Sequence, residues 1–209
     1  MNLDKISEEK KKLRKEMRRS QKDFLDSLSE REKFSLAESL AEKITSLEQY
    51  KKSALVFAYI PDSLEADCRP VILEALEKGK EVAVPKVDLE SAQKGISRMN
   101  FYFLNSGRGL EDQLEKGAYG ILEPKKELVR YSLKTGKITL KEAFMIVPGV
   151  AFTESGKRLG HGKGFYDIYI EELRASGVSP FLCGTALPCQ IVPDLPTNNQ
   201  DILMDAVIF

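Results

Sequence analysis

The stretch "ALVFAYIPDSLEADCRPVILEALEKGKEVAVPKV", residues 54–87, decides the fold class. Its first seven residues are apolar or small and carry no charge, as a strand buried on both faces requires. Residues 69–79 then place apolar side chains at helical spacing, starting near Pro70 and stopping at Gly79. Residues 81–87 return to a strand pattern. Strand, helix and strand within about 30 residues form a βαβ unit, which needs parallel pairing and a right-handed crossover.

Working outward, the same texture recurs toward the C-terminus. "GISRMNFYFL" (95–104) alternates near its end and reads as a strand. "EDQLEKGAYGILEP" (111–124) reads as a turn or short helix followed by a loop, and 125–141 as polar and irregular. "AFMIVPGV" (143–150) is the most strand-like piece, ended by Pro148 and Gly149. A helix is expected at about 164–176, a strand at 180–186 and a last strand at about 204–209. Toward the N-terminus, 7–25 and 30–47 both look helical. Leu13, Met17 and Phe24 share one face of the first. Phe34, Ala37, Leu40, Ala41 and Ile44 repeat along the second, with Ser29 and Glu32 able to form a capping box. The expected architecture is a three-layer α/β/α sandwich on a largely parallel sheet, with an N-terminal helical pair, in one domain over 1–209.

Composition narrows the function. The 32 basic residues balance the 32 acidic ones, so no net field draws the chain to nucleic acid or to a membrane. The basic run "KKKLRKEMRR" (10–19) reads first as a solvated helix face, and Phe24 is the only aromatic near it. An RNA- or anion-binding module would need a wider basic stripe. Cys68, Cys183 and Cys189 share no metal-ligand spacing, and there is one histidine, His161, so a structural zinc site is not expected. An odd cysteine count with no apolar leader segment points to a reduced, cytoplasmic protein. No run reaches the roughly 20 apolar residues that span a bilayer.

Chemistry concentrates in "TESGKRLGHGKGFYDIYI" (153–170). Gly160, Gly162 and Gly164 alternate between an expected strand end and a helix start, where open α/β sheets bind ligands. Glycine lets backbone N–H groups converge on an anion, and the following helix adds its positive end. No Ser, Thr, Asp or Asn precedes Gly164 to cap that helix, which leaves its N–H groups open to a phosphate. Arg158 and Lys163 flank the loop with charge. The spacing is neither that of a Walker A loop nor that of a dinucleotide-binding turn; by itself it supports a phosphate-binding loop. Asp167, in the first helical turn, has two readings that spacing leaves level: a dipole-stabilising acid or a Mg²⁺ ligand beside phosphates. His161 reads as a hydrogen-bonding bystander more readily than as an acid or base.

The segment "VPGVAFTESGKRLGHGKGFYD" (147–167) resembles the signature of the 5-formyltetrahydrofolate cyclo-ligase family, also called methenyltetrahydrofolate synthetases. The resemblance runs along the chain: "KKKLRKEMRR" is similar to the family's N-terminal basic helix, "AYIPDSLEAD" (58–67) to its folate-meeting loop, "YGILEP" (119–124) to its G-x-x-E-P segment, and "DILMDAVI" (201–208) to its C-terminal aspartate segment. It implies an α/β/α fold and closure of 5-formyltetrahydrofolate to 5,10-methenyltetrahydrofolate, driven by ATP with Mg²⁺. By motif position it implies that Lys10 and Arg14 meet ATP phosphates, with Lys11 or Lys12 as alternatives to Lys10. It further implies that Arg158, Leu159, Gly160, His161, Gly162, Lys163, Gly164, Phe165 and Tyr166 wrap the phosphates. Arg158 and Lys163 would be the catalytic charges. Asp167 and Asp201 would hold Mg²⁺. Ile60 and Glu65 would contact the folate, bordered by His161 through Phe165. His161 stands where the family often has Arg or a small or apolar residue, and Phe165 where Tyr is frequent. A related enzyme acting on another formylated or pterin-like metabolite would share the ATP loop and differ around Glu65. The expected partners are small molecules only, and the chain is expected to act as a monomer.

Overall fold

The apolar runs pair side by side into one six-stranded sheet. In the computed structural model, which describes residues 3–117, 120–132, 143–198 and 201–209, the helices are α1 (Leu3–Ser27), α2 (Glu30–Ser46), α3 (Glu48–Lys52), α4 (Arg69–Glu77), α5 (Leu89–Gln93) and α6 (Phe165–Ala175). The strands are β1 (Leu55–Phe57), β2 (Glu81–Val87), β3 (Met99–Phe103), β4 (Leu114–Lys116), β5 (Leu122–Pro124), β6 (Ala143–Val147), β7 (Ala151–Phe152), β8 (Arg158–Leu159), β9 (Phe181–Thr185) and β10 (Ala206–Ile208). The main sheet has the order β10-β9-β6-β1-β2-β3. The expected βαβ unit is present: β1 pairs with β2 in parallel, Leu55 opposite Glu81. Every other pairing in this sheet is parallel except β3, which runs antiparallel to β2.

Alternation along the buried strands builds two apolar layers. Val56, Val82, Val84, Phe144 and Ile146 pack with Leu40, Ile44, Val71 and Ile72 from α2 and α4. Leu55, Phe57, Ala83, Met145 and Val147 pack on the other face with Tyr169, Ile170 and Leu173 from α6. Helices therefore cover both faces, and the architecture is the three-layer sandwich. The N-terminal pair separates in role. Helix α2, closed by the Ser29–Glu32 capping box, lies on the sheet. Helix α1 instead sets Met17 and Leu13 against Val150, Ala151, Leu159 and Leu195, beyond the end of β6.

Several local expectations change. Phe34 leaves the apolar stripe of α2 and is 66% exposed, because that stripe meets the core only from Ala37 onward. Residues 111–113 form a short 3-10 turn, and β4 then pairs antiparallel with β5, where a turn or short helix and a loop were expected. These strands are too short to show a period. Tertiary contacts secure them: Lys86 Nζ donates to Pro124 O at 2.7 Å, and Glu123 Oε1 accepts from Val87 N at 3.2 Å. Within the stretch expected to be irregular, Tyr131 is buried beside β3, its N–H bonded to Phe101 O at 2.8 Å. The remainder of that stretch, 133–141, and Tyr119 of the 119–124 motif lie outside the described residues. No helix among the described residues is long and apolar enough to cross a membrane.

Candidate functional site

The chain order creates a crevice. From β1 the sheet grows to β2 on one side, and later adds β6 on the other. The connections after β1 and after β6 therefore leave toward opposite faces, into α4 and α6. Their divergence at the carboxyl ends is the switch point where open α/β sheets bind ligands. A cleft of about 1320 Å³ lies there, and all the sequence-derived site residues line it.

One half of the cleft is cationic. Between β7 and α6 the chain turns through Gly162, at φ +94°, and Gly164, at φ +70°. Both conformations strain any residue with a Cβ. At Gly162 a Cβ would also stand 3.1 Å from the Arg14 guanidinium carbon, so the missing side chain lets α1 approach. Arg14 Nε donates to Gly160 O at 2.8 Å. Gly164 is the N-cap of α6 and gives it no side-chain cap, which leaves the first N–H groups of that helix, beside the cleft, without a capping side chain among the described residues. Helix α1 presents Lys10, Arg14 and Arg18 to the same space, one turn apart. Burial, together with neighbouring Arg18, pushes the Arg14 guanidinium below its usual value, while Asp201 pulls the other way. This crowding of cations favours an anionic ligand. Lys163 is exposed and has no hydrogen bond or ion pair among the described residues.

Arg158 is held differently. Its side chain is only 5% exposed and donates from Nη2 to Asp167 Oδ1 at 2.8 Å and from Nη1 to Pro148 O at 3.3 Å. Its Nε and the buried Tyr166 hydroxyl have no partner among the described residues. Burial, with Glu65 and Cys68 nearby, pushes the Tyr166 phenol well above its usual value. It stays protonated, a buried donor without an acceptor among the described residues.

The three adjacent lysines separate cleanly. Lys10 is 8% exposed and faces inward, whereas Lys11 and Lys12 face solvent. Lys10 Nζ donates to both Asp201 oxygens, at 2.7 and 2.5 Å. Asp201 also accepts from Asn198 N at 2.6 Å. Asp167 uses Oδ1 on Arg158, and its Oδ2 accepts nothing among the described residues. No cluster of three or more His, Cys, Asp or Glu able to hold a metal occurs among them. This donor set fits a cation that brings most of its oxygen ligands with it, as Mg²⁺ on phosphate does, and does not form an all-protein cage.

The other half is apolar and ends on a carboxylate. Ile60 and Pro61 from the loop after β1 line it together with Val87, Met99 and Leu122. Glu65 is set at its end, its side chain 10% exposed. Its Oε2 accepts from Asp62 N at 3.0 Å, and its Oε1 meets His161 Nε2 at 3.1 Å. His161 Nδ1 lies 3.0 Å from Arg18 Nη2. Sequence reading missed Arg18 and most of the apolar wall. The four-residue step from Lys10 through Arg14 leads to Arg18, so helical spacing carried that signal. The wall left none, because Val87, Met99 and Leu122 belong to three different strands.

A model of the 5-formyltetrahydrofolate cyclo-ligase family matches residues 6–209. A probable 5-formyltetrahydrofolate cyclo-ligase of Caenorhabditis elegans is 31% identical, over 95% of this chain and 93% of the relative. The 5-formyltetrahydrofolate cyclo-ligase of Mus musculus is 27% identical, over 98% and 95%. The solution structure of Aquifex aeolicus 5,10-methenyltetrahydrofolate synthetase superimposes with a TM-score of 0.72 at 32% identity, covering 95% of this chain and 88% of that one.

Proposed function

Since the chain belongs to the 5-formyltetrahydrofolate cyclo-ligase family, we propose that it converts 5-formyltetrahydrofolate to 5,10-methenyltetrahydrofolate, consuming ATP with Mg²⁺ and releasing ADP and phosphate. The observation that carries this reading is the union of two unlike half-sites in one cleft: a cationic half on a glycine loop, and an apolar half ending on Glu65.

The chemistry needs both halves. The oxygen of an N5-formyl group is a poor leaving group. Transfer of the γ-phosphoryl group to it, with ADP departing, gives an activated carbon bonded to N5 and to a phosphate oxygen. The N10 lone pair adds to that carbon and N10 loses its proton. The carbon–oxygen bond then breaks, phosphate leaves with the bonding pair, and the N5–C–N10 amidinium closes the ring. Such transfers are accelerated mainly by positioning and charge stabilisation.

In this reading Lys10, Arg14 and Lys163 neutralise the triphosphate, while the Leu159–Tyr166 backbone and the N-terminus of α6 cradle it. Arg158, fixed by Asp167, carries charge at the reacting phosphoryl group. Ile60 and its apolar neighbours flank the pterin, and Glu65 accepts from ring N–H groups. Asp167 and Asp201 are the carboxylates that would hold Mg²⁺. When bound, the ion supplies charge neutralisation at the phosphate oxygens. A monomer suffices, since one chain contributes both halves. The three cysteines are all free, in keeping with a reducing compartment such as the cytoplasm.

The test is absorbance in the methenyl-folate band after mixing the protein with 5-formyltetrahydrofolate, ATP and Mg²⁺. A rise that requires both ATP and the metal is the expected result. ATP binding without any rise would move the activity to a different acceptor.

A further inference from the structure

His161 joins three segments that are distant in the chain. It stands 143 residues from Arg18 and 96 residues from Glu65, and bonds both. The chemistry of the partners assigns its proton. A guanidinium can only donate, so Nδ1 accepts from Arg18; the ring hydrogen is therefore on Nε2 and is donated to Glu65 Oε1. With Asp62 N on Oε2, both carboxylate oxygens are held and the plane of the group is fixed. No lysine or arginine could take the place of this ring, because neither can accept from Arg18.

We propose that His161 is a positioning residue that aims the Glu65 carboxylate at the folate and ties it, through Arg18, to the cationic half of the cleft. The inference rests on the folate role given above to Glu65. Two features separate this role from scaffolding. The His161 side chain is 36% exposed, so it contributes little to the core. Glu65 is far less exposed, at 10%, and His161 is its one side-chain hydrogen-bond partner among the described residues. Loss of the ring therefore falls on the aim of a mostly covered carboxylate more than on the fold. It also frees the glycine loop from the loop that carries Glu65.

The experiment measures the dissociation constant of 5-formyltetrahydrofolate in the absence of ATP, for the parent, His161→Leu and His161→Gln. Leucine keeps bulk and removes both bonds. Glutamine keeps one N–H donor for Glu65 and one carbonyl acceptor for Arg18. Leucine is expected to weaken binding about 3–10-fold, the range for a partly exposed hydrogen bond to a charged group, and glutamine to recover most of it. Unchanged binding in the leucine variant overturns the proposal. Equal weakening in both variants overturns it as well, since the donor–acceptor pair would then be irrelevant. Absence of binding by the parent protein overturns the folate reading itself, and this inference with it.

Discussion

Removing either member of the Arg158–Asp167 pair deletes the same 2.8 Å contact, yet the two losses should differ in cost. Asp167 is 28% exposed and Arg158 is 5% exposed. Arg158→Met leaves a carboxylate that water can reach. Its cost is the lost hydrogen bonds to Asp167 and Pro148, about 1–2 kcal/mol. Asp167→Ala instead strands a guanidinium that water barely reaches and whose Nε already lacks an acceptor among the described residues. An uncompensated buried charge of this kind costs about 3–5 kcal/mol. Loss of an acid in the first turn of α6 adds about 0.3–1 kcal/mol. Urea denaturation of the ligand-free variants reads the difference, provided the m-values agree. Asp167→Ala should be the less stable by about 1–5 kcal/mol. It should also gain more stability than the parent from inorganic tripolyphosphate, which returns a counter-charge to Arg158. An Arg158→Met variant as unstable as Asp167→Ala would refute the reasoning, for it would mean that Arg158 is not cut off from solvent.

Lys163→Ala should stay within about 0.5 kcal/mol of the parent in stability, since Lys163 is exposed and unpaired among the described residues, yet lose roughly 100-fold or more in turnover; full activity would remove Lys163 from the phosphate site. The Glu32 carboxyl is held below its usual range by hydrogen bonds from Ser29, so its contribution to stability is complete above the ordinary carboxylate value of about 4 and is lost as pH falls through the lower native value. Glu32→Gln should therefore lower the urea midpoint near neutrality and approach the parent as the pH falls below the ordinary carboxylate range, and a gap constant with pH would contradict the sign. Burial pushes the Cys183 thiol up to about 12 and raises Cys68 further, while Cys189 is half-buried and raised less. A thiol reagent near pH 8 should thus label Cys189 first and the other two only after unfolding; rapid labelling of Cys68 or Cys183 in the native protein would show that their burial is breached.

The parts legible in the sequence are those governed by neighbours along the chain. The βαβ unit at 54–87 announces itself through periodicity and through Gly79, and the capping box at Ser29 and Glu32 through a three-residue spacing. The glycine loop is similarly local, because positive φ at Gly162 and Gly164 depends on the absence of a Cβ there. Pairing across the chain decided the rest. Antiparallel β3, the β4–β5 pairing and the burial of Tyr131 follow from partners that no local pattern names. Which of three adjacent lysines faces the cleft depends on the rotation of α1 about its axis, and Met17, on the same face as Lys10 and Arg14, sets that rotation by packing against Val150, Ala151 and Leu159. The Arg18–His161–Glu65 chain is the clearest case. Each residue alone reads as an ordinary polar side chain, and only the switch point of the sheet brings the three within hydrogen-bond range. Short-range sterics and periodicity are written residue by residue, whereas contacts across 96 or 143 positions exist only once the whole chain has closed.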